Sequence, residues 1–330
     1  MTVSILVPFY QVAPFIERCA RSVLGQTYPD IEYLFIDDHS TDDGPDILLK
    51  TLEDYPDRKD AVRIIRNERN LGLASSRNLA VRECRTDFLL WVDADDWISP
   101  DAVEKLIARQ AQDDADIVSG KVLKVYNGNT KPFPIVSPSS KTDTIIGFLD
   151  HSIAWCIWGR LIRKTLYSDN GVQCLEGINY NEDYQVIPRL FYFAEKVADI
   201  PSVIYYYGTG NPASYTSLSD TDIRIRIQRW FQNLASNRML RDFFFTRLPA
   251  ARDIIEKNIV YYLKLLLRDT TRAGDKTSFL KAMQELKRCD REYVCPDALR
   301  LWYAARVSPS VCWMVKRFCC RLSDPLFSQP

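Results

Sequence analysis

Histidine is scarce in this 330-residue sequence, and its scarcity excludes several kinds of active site. Only His39 and His151 are present, so neither a metal site built on several imidazoles nor a Ser-His-Asp triad is expected. An excess of one charge is missing too, because Lys plus Arg and Asp plus Glu both number 43. The overall charge therefore indicates no nucleic-acid partner, and any charged ligand must be recognised locally.

Membrane-spanning and targeting segments are not found in the sequence either. No run of about 18 apolar residues occurs, so we predict no membrane span. Residues 1–10 carry no basic region ahead of their apolar residues, so no secretory signal is predicted. The nine cysteines are odd in number and include no C-x-x-C pair, which indicates reduced thiols rather than disulfides or a zinc site. We therefore expect a cytoplasmic protein.

The stretch LLWVDADD at residues 89–96 is the most informative in the chain. The apolar run 88–92 predicts a strand buried on both faces, and it ends in Asp93, Asp95 and Asp96. In extended chain, residues two apart project to the same side, about 6.5 Å apart at their Cα atoms. Asp93 and Asp95 can therefore share one hard cation or a ligand that carries it. The alternative is a solvated acidic turn that caps the strand.

Strands and helices alternate through the first 110 residues. Strands are predicted at residues 3–8, 31–36, 61–65 and 88–92, and helices at 13–25, 47–52, 73–84 and 102–110. This alternation is typical of a parallel, helix-covered sheet that binds ligands at the carboxyl ends of its strands. Polar segments follow all four strands, at residues 8–11, 37–42, 67–77 and 93–96. Turn chemistry explains any one of them, but a ligand site explains all four more economically.

The second half of the sequence changes character near residue 220. Before that point we predict a strand at 116–126, a loop at 127–141, helices at 145–150 and 186–193, and an edge strand at 203–207. After it, long helical patterns occupy residues 223–240, 251–268 and 276–287. The sequence therefore predicts an α/β domain at residues 1–220 and a helical C-terminal region at 221–330.

Several segments resemble family 2 glycosyltransferases of the GT-A fold, of the bacterial type that builds surface polysaccharides. They are SILVPFYQVAPFIERCARSVLGQTYPDIEYLFIDDHSTDDG, RNLGLASSRNLAVRECRTDFLLWVDADDWISPDAVEKL, WGRL and NED. The resemblance covers residues 3–110 densely and 155–216 sparsely. It implies a Rossmann-like, mostly parallel sheet with helices on both faces, followed by a helical C-terminal region, for which contact with a membrane or a partner is one hypothesis.

The resemblance also implies which residues hold the nucleotide-sugar. In chain order they are Pro8, Tyr10, Asp37, Asp38, Asn70, Gly72, Arg77, Asp93, Ala94 and Arg160. Asp38 is expected to accept a hydrogen bond from a uracil imide N–H, whereas Asp37 could equally cap the turn. Arg160 stands where many relatives carry lysine, and His39 stands where they more often have a small residue. Arginine can also bind phosphate, and histidine tolerates left-handed backbone.

The metal and the base are expected at acidic positions. Asp93 and Asp95 match residues that bind Mn²⁺ or Mg²⁺, ions that prefer oxygen ligands. Such an ion would stabilise the diphosphate leaving group. Asp183 matches the base that deprotonates the acceptor hydroxyl, with Glu182 as the second candidate. The alternative for this pair is an acidic first helical turn stabilised by the helix dipole.

The implied reaction is metal-dependent, inverting transfer from a UDP-sugar to a hydroxyl of a glycan or lipid-linked acceptor. One alternative is a catalytically silent sugar-nucleotide-binding subunit of a polysaccharide assembly complex. Another is a nucleotidyltransferase, although PFYQVAP lacks the glycine-rich loop and basic residue usual there, and it also lacks the G-x-G-x-x-G of a dehydrogenase. Residues 311–318 combine apolar and basic side chains, which predicts either peripheral contact with the inner face of the cell membrane or a helix packed on the catalytic domain.

Overall fold

The computed structural model describes residues 1–126, 128–135, 140–212, 214, 222–294, 310 and 313. The chain divides into two compact units, Met1–Asn211 and Pro212–Pro330. The first unit ends shortly before the boundary expected at residue 220. The activities expected of the two parts stay predictions.

Nine strands and seven helices are described in the first unit. The strands are β1 (Val3–Phe9), β2 (Ile31–Asp37), β3 (Val62–Arg66), β4 (Phe88–Trp91), β5 (Trp97–Ile98), β6 (Ile117–Tyr126), β7 (Asn129–Phe133), β8 (Arg160–Arg163) and β9 (Val197–Gly208). The helices are α1 (Ala13–Leu24), α2 (Gly44–Leu52), α3 (Leu73–Glu83), α4 (Ala102–Asp113), α5 (Lys141–Leu149), α6 (Thr165–Ser168) and α7 (Glu182–Phe193). A 3₁₀ helix lies at Pro56–Ala61.

The strands form one mixed sheet in the order β3-β2-β1-β4-β8-β6-β9-β5, with β7 paired to β6. The half made of β3, β2, β1 and β4 is parallel, as expected. The other half is not, because β8 pairs antiparallel with both β4 and β6, and β5 pairs antiparallel with β9. The pair β6 and β9 is again parallel, so the sheet is parallel over its first four strands in chain order and mixed beyond them.

Two local expectations are wrong for physical reasons. The loop expected at residues 127–141 includes β7, which pairs antiparallel with β6 despite its Asn, Thr and Pro residues. The edge strand expected at 203–207 belongs to β9, which lies between β6 and β5. Its aromatic side chains are packed rather than exposed at a free edge, since Tyr206 stacks on Trp97 with ring centroids 5.4 Å apart.

The centre of the sheet is entirely buried. Every residue of β1 and β4 is buried, as expected for strands covered on both faces. Pairing between β1 and β4 stops at Leu6 and Trp91. Pro8 lies beyond this last pair, so its missing N–H removes no hydrogen bond between these two strands. Tyr10 directly follows β1, and Asp93, Asp95 and Asp96 follow β4.

The second unit is helical where the structure describes it. It contains α8 (Ile223–Phe244), α9 (Arg252–Ala273) and α10 (Lys276–Arg288), with 3₁₀ turns at Pro249–Ala251 and Arg291–Tyr293. Gly274, with a φ of +71°, ends α9, and the Asp275 side chain accepts a hydrogen bond from the Ser278 N–H to begin α10. In the described parts of the chain, no helix is both long and apolar enough to cross a bilayer.

The segment 311–318, for which membrane contact was one expectation, lies outside the described residues except for Trp313. The Trp313 side chain is 4% exposed, and its ring lies 5.0 Å from that of Phe279. This tryptophan therefore packs against α10 and does not lie on the surface.

Candidate functional site

The carboxyl ends of the first three strands lie side by side. The register pairs Phe9 with Asp37 and Asp37 with Arg66, so polar residues from three separate segments meet at one edge of the sheet. The loop after β4 adds Asp93, Asp95 and Asp96 next to β1. Neighbouring parallel strands thus create the ligand edge that the alternation of elements predicts.

Asp96 is the buried anchor of the acidic loop. Its side chain is completely buried and accepts hydrogen bonds of 2.6 Å from the Tyr205 hydroxyl and from the Gly208 N–H. The Tyr205 hydroxyl in turn accepts a 3.1 Å hydrogen bond from the Asp93 N–H. Burial, followed by repulsion from Asp95 and Asp93, raises the pKa of Asp96 well above its ordinary value. Asp96 therefore ties the loop to β9.

Asp95 remains partly exposed within the same loop. Its Oδ2 accepts a 2.9 Å hydrogen bond from Asn211 Nδ2, and its backbone carbonyl accepts one of 2.7 Å from Arg18 Nη2. The Arg18 guanidinium also stacks 3.8 Å from the centroid of the Trp97 ring. Burial and the negative charge of Asp93 raise the pKa of Asp95. A divalent cation would relieve this repulsion.

Arg77 connects the acidic loop to α7. This side chain of α3 is only 3% exposed; its Nη2 donates to Asp93 Oδ1 at 2.8 Å and its Nε donates to Glu182 Oε1 at 2.9 Å. Its Nη1 is buried and has no hydrogen-bond partner among the described residues. Burial lowers the pKa of Arg77, but the charges of Asp93 and Glu182 outweigh it and raise the pKa overall. The guanidinium therefore stays charged between its two carboxylates.

The two acidic residues at the start of α7 have different surroundings. Glu182 is 6% exposed and is held by Arg77, whereas Asp183 is partly exposed. Asp183 Oδ1 accepts a 2.8 Å hydrogen bond from the Tyr184 N–H. The helix dipole would lower the pKa of an acid in this first turn, yet burial and repulsion from Glu182 raise the pKa of Asp183 well above its ordinary value. Asp183 is therefore the more available proton acceptor of the pair.

Asp37 and Asp38, which are expected to lie at the nucleotide base, mainly form hydrogen bonds that hold the surrounding loops. Asp38 is 4% exposed, and its carboxylate accepts three hydrogen bonds of 2.8 Å, from Asn67 Nδ2 and from the N–H groups of Leu71 and Gly72. Asp37 Oδ1 accepts from the Ser40 N–H at 2.7 Å, which is the turn-capping alternative for this residue. His39 has a φ of +67°, so it adopts the left-handed backbone expected of it.

Gly72 permits a close approach at the start of α3. Its φ is +88°, and a Cβ atom at this position would lie 2.2 to 2.6 Å from side-chain atoms of Asn179. Asn179 Oδ1 accepts a 3.1 Å hydrogen bond from the Ala74 N–H, so it covers the first turn of the helix. Asn70, two residues earlier, is exposed. Tyr10 is 44% exposed, and Pro8 and Ala94 are buried.

Arg160 does not have the exposed position that contact with a donor phosphate requires. It is 2% exposed, and its Nε, Nη1 and Nη2 donate to Cys156 O, Ser119 Oγ and Ala154 O. All three of its guanidinium nitrogens therefore stabilise the protein interior. Trp158 is also a packing residue, because it is 7% exposed and stacks on Tyr205 with centroids 4.8 Å apart.

Four residues that contact the site were not identified from the sequence: Arg18, Asn179, Tyr205 and Asn211. Each side chain contacts a site residue that lies between 77 and 116 positions away along the chain, so the contact depends on tertiary structure. Arg18 lies in an amphipathic helix where a solvated arginine is ordinary, and Asn179 lies in a polar loop. The tyrosine run at residues 205–207 was the only visible signal, and it indicated a strand rather than a site.

The oxygen donors of the acidic loop fit one divalent cation in part. Asp93 Oδ1 accepts a hydrogen bond from Arg77 and Asp95 Oδ2 accepts one from Asn211, and no other side chain in the described ranges donates to either carboxylate. Oxygen-only ligation suits Mg²⁺ and Mn²⁺, but both ions take about six ligands. Within the described ranges, no group of three or more acidic, histidine or cysteine side chains could hold a metal. A bound diphosphate would have to supply further ligands.

Comparisons with known proteins identify the family. Residues 4–166 match the family described as Glycosyl transferase family 2. The uncharacterized glycosyltransferase EpsJ of Bacillus subtilis is 30% identical over 223 residues, which are 66% of this chain and 63% of EpsJ. TarS of Staphylococcus aureus, a poly(ribitol-phosphate) beta-N-acetylglucosaminyltransferase, is 25% identical over 221 residues, 66% of this chain and 37% of TarS. The chain thus covers less than two thirds of the length of these relatives.

Solved structures share the fold. TarS 1-349 in complex with UDP-GlcNAc matches with a TM-score of 0.66 at 17% identity, covering 97% of this chain and 92% of that one. The mannosyltransferase PcManGT from Pyrobaculum calidifontis, in complex with GDP-Man and Mn²⁺, matches with a TM-score of 0.54 at 18% identity, covering 98% and 87%. Taken together, the family match, the sequence relatives and the shared fold show that residues 4–166 form a glycosyltransferase family 2 domain and that the chain has the GT-A fold.

Proposed function

We propose that the protein transfers a sugar from a UDP-sugar to a hydroxyl of a glycan or lipid-linked acceptor in polysaccharide biosynthesis, with inversion and with a divalent cation. The observation that carries this proposal is the bridge from Asp93 through Arg77 to Glu182, next to the partly exposed Asp183. It joins a cation-binding acidic loop and a proton acceptor within one cluster. The proposed location is the cytoplasm, with peripheral contact at the inner face of the cell membrane.

The donor side of the site would use the acidic loop. Asp93 and Asp95 would hold Mn²⁺ or Mg²⁺, which on binding supplies Lewis-acid stabilisation of the diphosphate. Arg18 orients Asp95 through its backbone carbonyl, and Arg77 orients Asp93. Tyr10 and Asn70 are exposed near the ends of β1 and β3 and are proposed to contact the nucleotide together with the rim built by Pro8, Asp37 and Asp38. Complexes of TarS with UDP-GlcNAc and of PcManGT with GDP-Man and Mn²⁺ support a nucleotide-sugar donor and a cation.

The acceptor side would use Asp183. A general base must lie within reach of the attacking hydroxyl, and its pKa is best placed near the working pH. Burial raises the pKa values of both acids, so the partial exposure of Asp183 and the ion pair of Glu182 with Arg77 favour Asp183 as the base. One base and one direct displacement give inversion at the anomeric carbon. The product from a UDP-α-sugar would then be the β anomer.

Hydrolysis of UDP-glucose and UDP-N-acetylglucosamine by the full chain with Mn²⁺ tests the reaction. We expect UDP release to fall about 10² to 10⁴-fold in Asp183→Asn, with UDP affinity changed less than about threefold, and not to fall in Glu176→Gln, an exposed acid of the preceding loop. Proton NMR of the sugar at early times should show the β anomer first.

The same assay separates the alternative functions. A silent subunit would bind UDP without releasing any from these donors. A nucleotidyltransferase would form inorganic pyrophosphate from UTP and a sugar 1-phosphate and would leave the hydrolysis unaffected by Asp183→Asn. Equal activity of wild type and Asp183→Asn would rule out Asp183 as the general base.

A further inference from the structure

A cavity with a volume of about 440 Å³ lies inside the second unit, between α8, α9 and α10. Four arginines line it: Arg238 and Arg241 from α8, Arg252 from α9, and Arg288 from α10. None of these residues has a role in the site described above. Spacings of three along α8 and of three between Glu285 and Arg288 put the charged residues of each helix on one face.

Four arginines and three carboxylates, Glu256, Glu285 and Asp290, line the cavity, which leaves a formal excess of one positive charge. Burial raises the pKa of Glu256, and the charges of Arg241 and Arg252 act against that rise. Glu285 is shared by two arginines, because it accepts hydrogen bonds from both Arg238 and Arg288. Arg241 pairs with Asp242, which does not line the cavity. Arg252 forms no ion pair with any described residue. The cavity therefore has an excess of positive charge contributed by three different helices.

The shape and lining of the cavity suit a small anion rather than an extended surface. A volume of about 440 Å³ falls in the range of small-molecule sites. Ile259 and Cys289 are buried beneath the charged rim, at 2% and 8% exposure. The Arg252 guanidinium lies 5.0 Å from the ring of Phe245, which limits its freedom. Arg252 is also the first residue of α9, at the positive end of that helix.

We propose that this cavity binds a phosphate or diphosphate group, recognised mainly by Arg241 and Arg252. Planar guanidinium groups bind phosphate through paired hydrogen bonds, and an anion would offset the repulsion among the four arginines. The group is carried by a phosphorylated saccharide or by a lipid headgroup. This inference does not depend on the reaction proposed for the first unit.

Calorimetric titration of the full chain with inorganic pyrophosphate, in EDTA to keep divalent cations away from the acidic loop, tests the site. We expect 1:1 binding that weakens at least about tenfold in Arg241→Gln/Arg252→Gln. The control Arg247→Gln/Lys257→Gln removes the same charge from residues outside the cavity and should bind as wild type does. Circular dichroism must report an unchanged helix content in both variants.

Two further measurements locate the anion and its source. Pyrophosphate binding that is equal in both double variants and disappears when UDP is added would assign the anion to the first unit and overturn the proposal. Flotation with phosphatidylglycerol vesicles, compared with phosphatidylcholine vesicles, distinguishes the sources. Vesicle binding reduced only in Arg241→Gln/Arg252→Gln would identify a lipid headgroup, and pyrophosphate binding without vesicle binding would identify a soluble phosphate. No binding of either probe would also overturn the proposal.

Discussion

Arg77 illustrates how one buried side chain can connect chemistry on two sides of a site. Its guanidinium holds Asp93 and Glu182 together, and each carboxylate would otherwise meet another negative charge in a buried setting. Sequence comparison indicated a phosphate-binding arginine at this position. The structure adds that the charge of Arg77 is already compensated inside the protein and that one of its nitrogens, Nη1, has no hydrogen bond. The nucleotide-sugar role of Arg77 therefore stays a prediction beside an evident structural one.

Replacement of Arg77 tests that structural role. We expect Arg77→Gln to lower the free energy of unfolding by about 3 to 5 kcal/mol, because it removes the charged partner of the buried Glu182 and of the partly buried Asp93. Urea denaturation checks this value. Arg82→Gln, an exposed arginine on the same helix, should stay within about 0.5 kcal/mol of wild type. Similar stability of both variants would mean that Asp93 and Glu182 do not depend on Arg77.

Ionised Asp95 should destabilise the folded protein when no cation is bound, and the pH dependence of stability tests this. Its raised pKa means that the folded protein holds the proton more tightly than the unfolded chain. Wild type therefore loses stability as pH rises from the ordinary aspartate pKa through the raised value. Asp95→Asn cannot ionise, so we expect it to be more stable than wild type at pH 8, on the order of 1 kcal/mol, with the difference closing toward pH 4.

Urea denaturation at pH 4, 6 and 8 measures that difference. Asp101→Asn is the matched control with the opposite sign, because Lys105 holds the pKa of Asp101 below its ordinary value. That variant should not gain stability at pH 8. A destabilised Asp95→Asn would show that the hydrogen bond from Asn211 outweighs the repulsion from Asp93.

At the scale of elements, the start of α3 depends on a glycine facing a loop that is distant in sequence. Gly72→Ala combines a left-handed φ with a Cβ atom 2.2 Å from Asn179, so we expect it to lower stability by about 2 kcal/mol. Gly171→Ala has a left-handed φ but no neighbour within 4 Å, so it should lower stability by about 1 kcal/mol.

A double-mutant cycle isolates the contact with Asn179. Asn179→Ala should recover part of the loss in Gly72→Ala, because the shorter side chain removes the clash. Thermal unfolding of the four proteins measures the coupling. Strict additivity would mean that the loop moves away from Gly72 without resistance.

The elements also show what sequence patterns can and cannot predict. The first four strands and the helices between them follow from apolar runs, proline, glycine and helical spacing. Strands β1, β2 and β4 bury nearly all of their residues, whereas β3, at the edge of the sheet, is only partly buried. Strand β7 pairs with the adjacent β6, but its Asn, Thr, Lys and Pro residues give no strand pattern. Strands β5 and β8 do not follow from such patterns either, since they are short and pair with strands far along the chain. For the same reason, the acids after β4 were evident from the sequence, whereas Tyr205, Asn211 and the cavity arginines required tertiary structure.

At the scale of the whole molecule, ligand binding should be coupled to protonation of the acidic cluster. Burial raises the pKa values of Asp95, Asp96 and Asp183, and a cation requires deprotonated ligands. We therefore expect UDP with Mn²⁺ to stabilise the chain at pH 8 by about 2.7 kcal/mol at a hundred times the dissociation constant, and to stabilise it less at pH 5. Scanning fluorimetry of wild type and Asp95→Asn measures both. Equal stabilisation by the ligand at pH 5 and pH 8 would mean that binding does not depend on the ionisation of these carboxylates.

The electrostatic effect of Asp93 on Asp183 bears on the order in which donor and acceptor bind. After burial and Glu182, Asp93 is a further cause of the raised pKa of Asp183, although it lies on a different loop and is proposed to act on the other reactant. A ligand that neutralises Asp93 would weaken that influence, and Asp183 would then release its proton at a lower pH. In the proposed reaction, binding of the donor and its cation would in this way prepare Asp183 for the acceptor hydroxyl.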